Sequence, residues 1–317
     1  MSSYLGEVWK SLTGPGALRG LLLAGSALLS ARTLVAAAGN KGYKPKLPRR
    51  TAKEVKETEA AKEELLKGLQ LNKDEFVELL RSFIAQSEKL QNNPPALVPR
   101  EDLIVDLIVD FLKPYEDVLE VRKITYVAGR SNCIVKYRGT TDKMMSFVGM
   151  HCDVVTANPA EFKRNPFELT IEDDTLYGRG VTDCLGHVAL VCCIFKQLAL
   201  MKPTLKVGVA AVFIANEENS TVEGVGIDEL CRHGELEFAK TGPVFWIDSA
   251  DIGPTVGTAG VMTWKMKATG YSGHSGVPQN AINSLTLGFE ALKYIQQRFY
   301  NDFPFVSNQG HTLHKSK

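Results

Sequence analysis

The sequence predicts an α/β protein whose mostly parallel sheet carries helices on both faces. Three near-continuous apolar runs, at 145–150, 207–215 and 244–247, have the composition of strands that are buried on both sides. A helical apolar pattern at 187–201 separates the first two runs and supplies the crossover that parallel strands require. Beyond Gly257 the pattern changes, and we expect the start of a smaller α+β domain.

Three helices are predicted before the sheet. Residues 51–68 indicate a charged, solvated helix that serves as a linker. Asn72 begins the next helix, with Glu75 three residues later in the capping position. Its apolar face needs a partner surface, so the folded domain is expected to begin here. The third helix has apolar residues at helical spacing from Leu103 until Pro114 ends it.

Shorter elements complete the prediction. Residues 118–126 and 133–137 have strand-like composition, and the acidic pair Asp173-Asp174 between apolar residues predicts a hairpin over 169–177. Farther on, alternation over 261–269 predicts a strand with one solvated face, and 280–300 predicts an amphipathic helix.

The predicted organisation has four parts: a targeting or anchoring segment at 1–50, the helical linker at 51–71, a catalytic domain at 72–256 and a smaller domain at 257–317. The apolar run in the first part covers about 12 residues, whereas a membrane span needs about 20. Enrichment in Arg and Ser favours an organelle transit peptide, for a mitochondrion or plastid. A secretory signal, a tilted membrane anchor and a tail that joins a larger assembly are the alternatives.

Composition and charge are those of an ordinary soluble domain protein. The 317 residues are 44% hydrophobic and 23% charged, and the net charge of +1 gives no reason to expect a nucleic-acid partner. The charge is uneven, since residues 1–50 carry eight Lys and Arg residues against the single acid Glu7.

The six cysteines form no CxxC motif and no regular framework. Cys192 and Cys193 fall within an apolar helical run, where core packing is expected. The pattern favours a reducing compartment, with the cytoplasm as an alternative to an organelle.

Acidic residues and one histidine stand where the predicted strands end or, in one instance, in a glycine-bounded turn. They are His151, Asp153, Asp183, Glu217, Glu218 and Asp248. In an open α/β sheet, ligands bind at the carboxyl ends of the strands. Imidazole and carboxylate are the usual ligands of a hard or borderline cation. The sequence therefore predicts a metal-dependent hydrolase.

The spacing of these residues suggests different tasks. Asp153 can accept the second ring N–H of His151 and so fix its tautomer. Asp183 in a tight turn could approach two cations, one with each oxygen. Of the adjacent Glu217 and Glu218, one would be neutralised by metal and the other would be a general base toward water. The structural alternatives are a core histidine, a simple glycine turn and a solvent-facing strand end.

Taken in order, the motifs resemble a known family of zinc metallopeptidases. The motifs shared with this family are HxD at 151–153, GRGxxDxxG at 178–186, the Glu pair at 217–218, an acid before a Gly-rich stretch, and GHSGVPQNAINS at 273–284. The family includes acetylornithine deacetylase, succinyl-diaminopimelate desuccinylase, carboxypeptidase G and aminoacylase. The plant-type acetylornithine deacetylases resemble the chain most, through MHCDVVTANP, GRGVTDCLGHVAL, WIDSAD and RFYNDFP. The resemblance covers about residues 72–304.

This resemblance implies a zinc-peptidase-like fold and two zinc ions, for which Co²⁺ can substitute. His151 and Asp248 would bind the first ion, Asp183 would bridge both, and Glu218 would bind the second.

The resemblance also implies roles outside the ligand set. Glu217 would be the general base, and Asp153 would orient His151. His274, in a dimerisation domain, would reach the partner subunit's site in a homodimer and stabilise the developing oxyanion.

Family members are expected to continue well beyond Lys317, complete the dimerisation domain and supply a final His for the second zinc. Neither His311 nor His314 follows the apolar strand that such a ligand should follow. The sequence therefore predicts a C-terminally truncated family member, either a piece of a longer enzyme or a shortened homologue.

The predicted function is that of a zinc-dependent amidohydrolase that releases acetate from an N-acetylated amino acid, with N-acetylornithine, of arginine biosynthesis, as the first substrate to test. A dipeptidase or aminoacylase of the same family is one alternative. The other is a non-catalytic homologue that serves as an interaction subunit, held in an organelle or at a membrane through residues 1–50.

Overall fold

The computed structural model describes residues 52–248 and 264–302, except for the side chains of 52–58 and 61. The predicted targeting segment at 1–50 and the residues at 303–317 lie outside this description. The chain divides into two compact units, Met1–Thr255 and Val256–Lys317. Within the residues described, no helix has both the length and the apolar character that crossing a membrane requires.

The first unit is built on a five-stranded sheet with the order β1-β2-β6-β3-β7. Its strands are β1 (Leu119–Val127), β2 (Arg130–Tyr137), β3 (Met144–His151), β6 (Gly208–Ile214) and β7 (Val244–Trp246). β3 pairs in parallel with both β6 and β7, whereas β2 pairs antiparallel with β1 and with β6.

The α/β class is confirmed, but the sheet is mixed rather than mostly parallel. Parallel pairing is confined to the three strands that the apolar runs predicted. β1 and β2 are joined by a two-residue turn, in which Gly129 has φ +81°. A turn this short can join only antiparallel neighbours, because parallel strands need a long crossover.

Six helices occur in the described ranges: α1 (Ala52–Gly68), α2 (Lys73–Ile84), α3 (Asp102–Leu112), α4 (Leu185–Met201), α5 (Ile227–Arg232) and α6 (Ser284–Asp302). The predicted cap of α2 is confirmed, since the Asn72 side-chain oxygen accepts from the backbone N–H groups of Asp74 and Glu75. The end of α1 is not isolated from the domain, because Leu65 and Leu69 contact the main core.

Helices cover both faces of the sheet, as predicted. On one face, strand residues such as Phe147 and Phe213 pack with α2, α3 and α4 in the main core. On the other face, Val148 and Val212 pack with Leu230 of α5 in a smaller cluster. Adjacent strand residues thus enter different cores, which explains the near-continuous apolar runs.

The cysteine prediction is confirmed for Cys192 and Cys193, which are buried within α4. All six cysteines lie in the described residues, and all are free thiols.

The predicted hairpin is also confirmed, as β4 (Thr170–Glu172) and β5 (Thr175–Tyr177). In the second unit, α6 confirms the predicted amphipathic helix. The strand predicted over 261–269 is wrong for its described part, since residues 264–269 form no strand. Alternation alone does not make a strand, because backbone groups also need a partner strand. The nearest pairing is a single bridge between Tyr271 and Ile282.

Candidate metal centre

The carboxyl ends of the parallel strands bring the predicted residues together around His151, the last residue of β3. This side chain is fully buried. Its Nε2 lies 2.8 Å from Asp183 Oδ1, 3.5 Å from Asp248 Oδ1 and 3.9 Å from Glu217 Oε2. Asp248 follows β7, Glu217 follows β6, and Asp183 lies in the turn before α4. Three elements distant in sequence therefore converge on one imidazole nitrogen.

The other ring nitrogen of His151 fixes the tautomer. Nδ1 lies 2.9 Å from the backbone carbonyl oxygen of Asp153 and 3.4 Å from its carboxylate Oδ1. A carbonyl oxygen only accepts, so Nδ1 carries the proton and donates it. This leaves Nε2 to face the carboxylates. The shorter of the two contacts is through the backbone of Asp153, and the role of Asp153 in orienting the ring stays a prediction.

The carboxylate of Asp153 is a buried anchor for the acidic turn after β6. Its Oδ1 accepts from the Glu217 backbone N–H at 3.0 Å, and its Oδ2 accepts from that of Glu218 at 3.0 Å. Asn92 Nδ2 donates to the same Oδ2 at 2.6 Å. Burial opposes its ionisation, yet the contacts with His151, Asn92 and Glu217 hold the pKa of Asp153 below its usual value.

The remaining acids are crowded in a way that suits a cation. Burial, together with the nearby carboxylates of Asp183, Asp153 and Glu217, raises the pKa of Glu218 to about 7 against the opposing effect of His151. Burial and neighbouring carboxylates also raise the pKa of Glu217. Carboxylates in such a setting repel each other, and a cation among them would relieve the repulsion.

Two sets of possible metal ligands can be drawn from the described residues. In the first, ligand atoms of His151, Asp183 and Glu218 all lie within 4.8 Å of one another. In the second, the same holds for His151, Cys184 and Asp248. The donor chemistry of imidazole and carboxylate fits a divalent cation such as zinc. Both sets include His151, so the division of ligands between two ions stays a prediction.

Asp248 is held by the strand that precedes it. Trp246 Nε1 donates to Asp248 Oδ2 at 3.3 Å. The indole can take this position because it lies against Gly149 of β3, which has φ +89°. A Cβ at Gly149 would come within 2.5 Å of two carbons of the Trp246 ring.

His274 belongs to the second unit, where its side chain is exposed and its Nδ1 accepts from the Gly276 backbone N–H at 3.0 Å. The predicted role of His274 at an oxyanion stays a prediction.

Sequence reasoning missed several polar residues around the centre. Asn92 bonds Asp153, and Cys184 places its thiol near His151 and Asp248. Asn216, just before the Glu pair, has φ +62°. This conformation is uncommon outside glycine, and the Asn-Glu-Glu sequence at a strand end was a signal for it.

Comparisons with known proteins agree with the motif analysis. The family model for peptidase family M20/M25/M40 matches residues 147–313. Acetylornithine deacetylase of Arabidopsis thaliana is 51% identical over 240 residues, covering 74% of this chain and 54% of the relative. The Dictyostelium discoideum acetylornithine deacetylase is 46% identical over 247 residues, covering 74% and 55%. The chain thus spans about half the length of these curated relatives. Human carnosine dipeptidase 1 aligns with a TM-score of 0.45 at 20% identity, covering 61% of this chain and 42% of that one.

Proposed function

Because the chain belongs to peptidase family M20/M25/M40, we propose that it carries the metal centre of an amidohydrolase that removes the acetyl group from an N-acetylated amino acid. N-acetylornithine is the proposed substrate, which the two acetylornithine deacetylase relatives support. The observation that carries the proposal is the convergence of Asp183, Glu217 and Asp248 on the Nε2 atom of buried His151.

Zinc is the proposed cation. His151, Asp183 and Asp248 would hold one ion, and Asp183 and Glu218 would hold the second. When bound, the metal would polarise the amide carbonyl and make a water molecule more acidic. The protein contributes the orientation of these ligands, above all through the bond from His151 Nδ1 to the Asp153 carbonyl.

Glu217 is the proposed general base. Its carboxylate lies beside the ligand cluster, and its backbone N–H is fixed by Asp153. Burial raises the pKa of Glu217 from its usual value, which makes its carboxylate a stronger base. It would take a proton from the attacking water and later give that proton to the leaving amine nitrogen. The amide bond is cleaved, and acetate and the free amino acid are released.

The test is Glu217→Gln in the protein, assayed for release of acetate from N-acetylornithine. We expect deacetylation to fall by about 10²–10⁴-fold, since a positioned general base contributes about that much. Metal content, measured by atomic emission, should not change. Glu172→Gln, which alters an exposed carboxylate paired with Arg164, is the matched control. Unaltered turnover in Glu217→Gln would remove Glu217 from the mechanism, and a wild-type protein without metal or activity would refute the function.

Three further features complete the proposal. We propose that the second unit mediates homodimerisation, that His274 contributes to the partner subunit's site, and that residues 1–50 direct the protein to an organelle. The mass of the protein in solution tests the first, and the location of a fusion of residues 1–50 to a reporter tests the last.

A further inference from the structure

A buried ion pair lies outside every motif that the function uses. Arg130, at the start of β2, donates from Nε and Nη2 to the two carboxylate oxygens of Glu101 at 2.5 and 2.6 Å. The two side chains are 4% and 0% exposed. Burying two charges is costly, and such a pair is weak evidence for stability by itself. Its other contacts indicate what the pair does.

Those contacts lead to Asn216, the residue before the proposed base. Arg130 Nη2 donates to Asn216 Oδ1 at 3.2 Å, and the Asn216 backbone N–H donates to Glu101 Oε1 at 3.2 Å. The antiparallel register explains the meeting, because Cys133 lies opposite Phe213 and the same register carries Arg130 level with Asn216. The ion pair thus contacts Asn216 through both its backbone and its side chain.

Asn216 uses its remaining side-chain atoms to close the turn. Its Nδ2 donates to the carbonyl oxygens of Val222 at 2.8 Å and Asn219 at 3.3 Å. Its Oδ1 also accepts from Asn92 Nδ2 at 2.9 Å, and that amide donates in turn to Asp153. These bonds hold the backbone of Asn216 in the left-handed region, at φ +62°.

The turn that carries Glu217 and Glu218 is therefore held from two sides. Asp153 accepts from both of their backbone N–H groups on one side. The Glu101–Arg130 pair holds Asn216 on the other. Rotation of either peptide would move both glutamates, because they are consecutive and share this turn.

We propose that Glu101 and Arg130 are positioning residues, which act through Asn216 to aim Glu218 at the metal and Glu217 at the reacting water. The proposal rests on the proposed function, because it assigns the pair a role in that same centre. A lysine at 130 keeps the charge but lacks the planar fork that bonds two groups at once.

The probe is Co²⁺ alone, added to the metal-free full chain. Its visible absorption and its dissociation constants are measured for wild type, Arg130→Lys, Asn216→Gly and the double variant. Glycine adopts a positive φ freely, so Asn216→Gly removes the side-chain bonds without straining the turn. Arg122→Lys is the matched control, because Arg122 also forms a bidentate pair, with Glu235, but at the surface of the adjacent strand.

We expect Arg130→Lys and Asn216→Gly each to weaken Co²⁺ binding by about 10-fold or more, as changes to groups that orient metal ligands do. Both should alter the visible spectrum at saturating Co²⁺, which a loss of fold stability alone would not do. The double variant should lose less affinity than the sum of the two single losses, because both single variants disturb the same Arg130–Asn216 bond, while the backbone N–H of residue 216 can still donate to Glu101. Arg122→Lys should match wild type.

Wild-type affinity and spectrum in folded Arg130→Lys, or strictly additive losses in the double variant, would overturn the proposal. If Arg130→Lys does not fold, as judged by circular dichroism, Asn216→Gly alone decides by the same affinity and spectrum. A wild-type chain that binds no Co²⁺ would instead refute the proposed function, so the two failures are distinguishable.

Discussion

Asp153→Asn tests whether the buried carboxylate behind His151 organises the centre. Both oxygens of Asp153 accept hydrogen bonds, Oδ1 from Glu217 and Oδ2 from Glu218 and Asn92. Asparagine has the same shape but only one acceptor oxygen. Whichever way the amide is turned, its NH₂ group faces at least one backbone N–H, and that donor loses its partner.

The number of buried donors that lose their acceptor sets the expected loss of stability. Leaving one buried donor unpaired costs about 1–3 kcal/mol. The orientation that keeps Oδ2 an acceptor preserves the bonds from Asn92 and Glu218, so the losses are the hydrogen bond from the Glu217 N–H and the 3.4 Å contact of Oδ1 with His151 Nδ1. We therefore expect the free energy of unfolding to fall by about 1–3 kcal/mol, without a change in the surface exposed on unfolding.

Urea denaturation of the metal-free protein measures this loss, and a constant slope against urea would show that the unfolded state is unchanged. Asp106→Asn is the control, because the Asp106 carboxylate is 56% exposed and pairs with Lys123 at the surface. That change should cost less than about 1 kcal/mol. An Asp153→Asn protein as stable as the Asp106→Asn protein would refute the reasoning.

Three other outcomes are expected. Leu80→Ala, at a fully buried position of α2, should lower the free energy of unfolding measured in urea by about 2–5 kcal/mol, because it leaves a cavity in the core. As its control, Leu200→Ala, at a 55% exposed position of α4, should change this free energy by less than about 0.5 kcal/mol. Asn72→Ala should cost about 1 kcal/mol in thermal unfolding, and Asn72→Asp should recover most of it because aspartate also caps. Zinc at a thousand times its dissociation constant should stabilise the wild type by about 4 kcal/mol; a chelator and His151→Ala should each abolish this gain, and His274→Ala should retain it.

The edge where these side chains meet was predictable because strands buried on both faces appear in the sequence as near-continuous apolar runs. The polar residues that end these runs stand at the strand ends. His151, Glu217 and Asp248 were found in this way. The strand predicted from alternation over 261–269 fails in its described part, since a period-2 pattern contains no information about a partner strand.

The residues behind the centre were not predictable by the same route. Asn92 lies in a proline-rich loop, and Glu101 and Arg130 stand at the ends of elements, where charged residues are normally solvated. Only the antiparallel register of β2 with β6 brings Arg130 to Asn216. Such contacts join residues 86 positions apart, and local sequence patterns do not reveal them.

The close approach of Trp246 to Gly149 has a practical consequence for anyone who engineers this chain. Replacing glycine by alanine is a routine way to stiffen an unfolded chain. At Gly149 the added methyl group would displace the indole and withdraw the hydrogen-bond donor that Asp248 uses. A stability library should therefore keep this position fixed, since a variant there would disturb the candidate metal centre although residue 149 is not one of its predicted ligands.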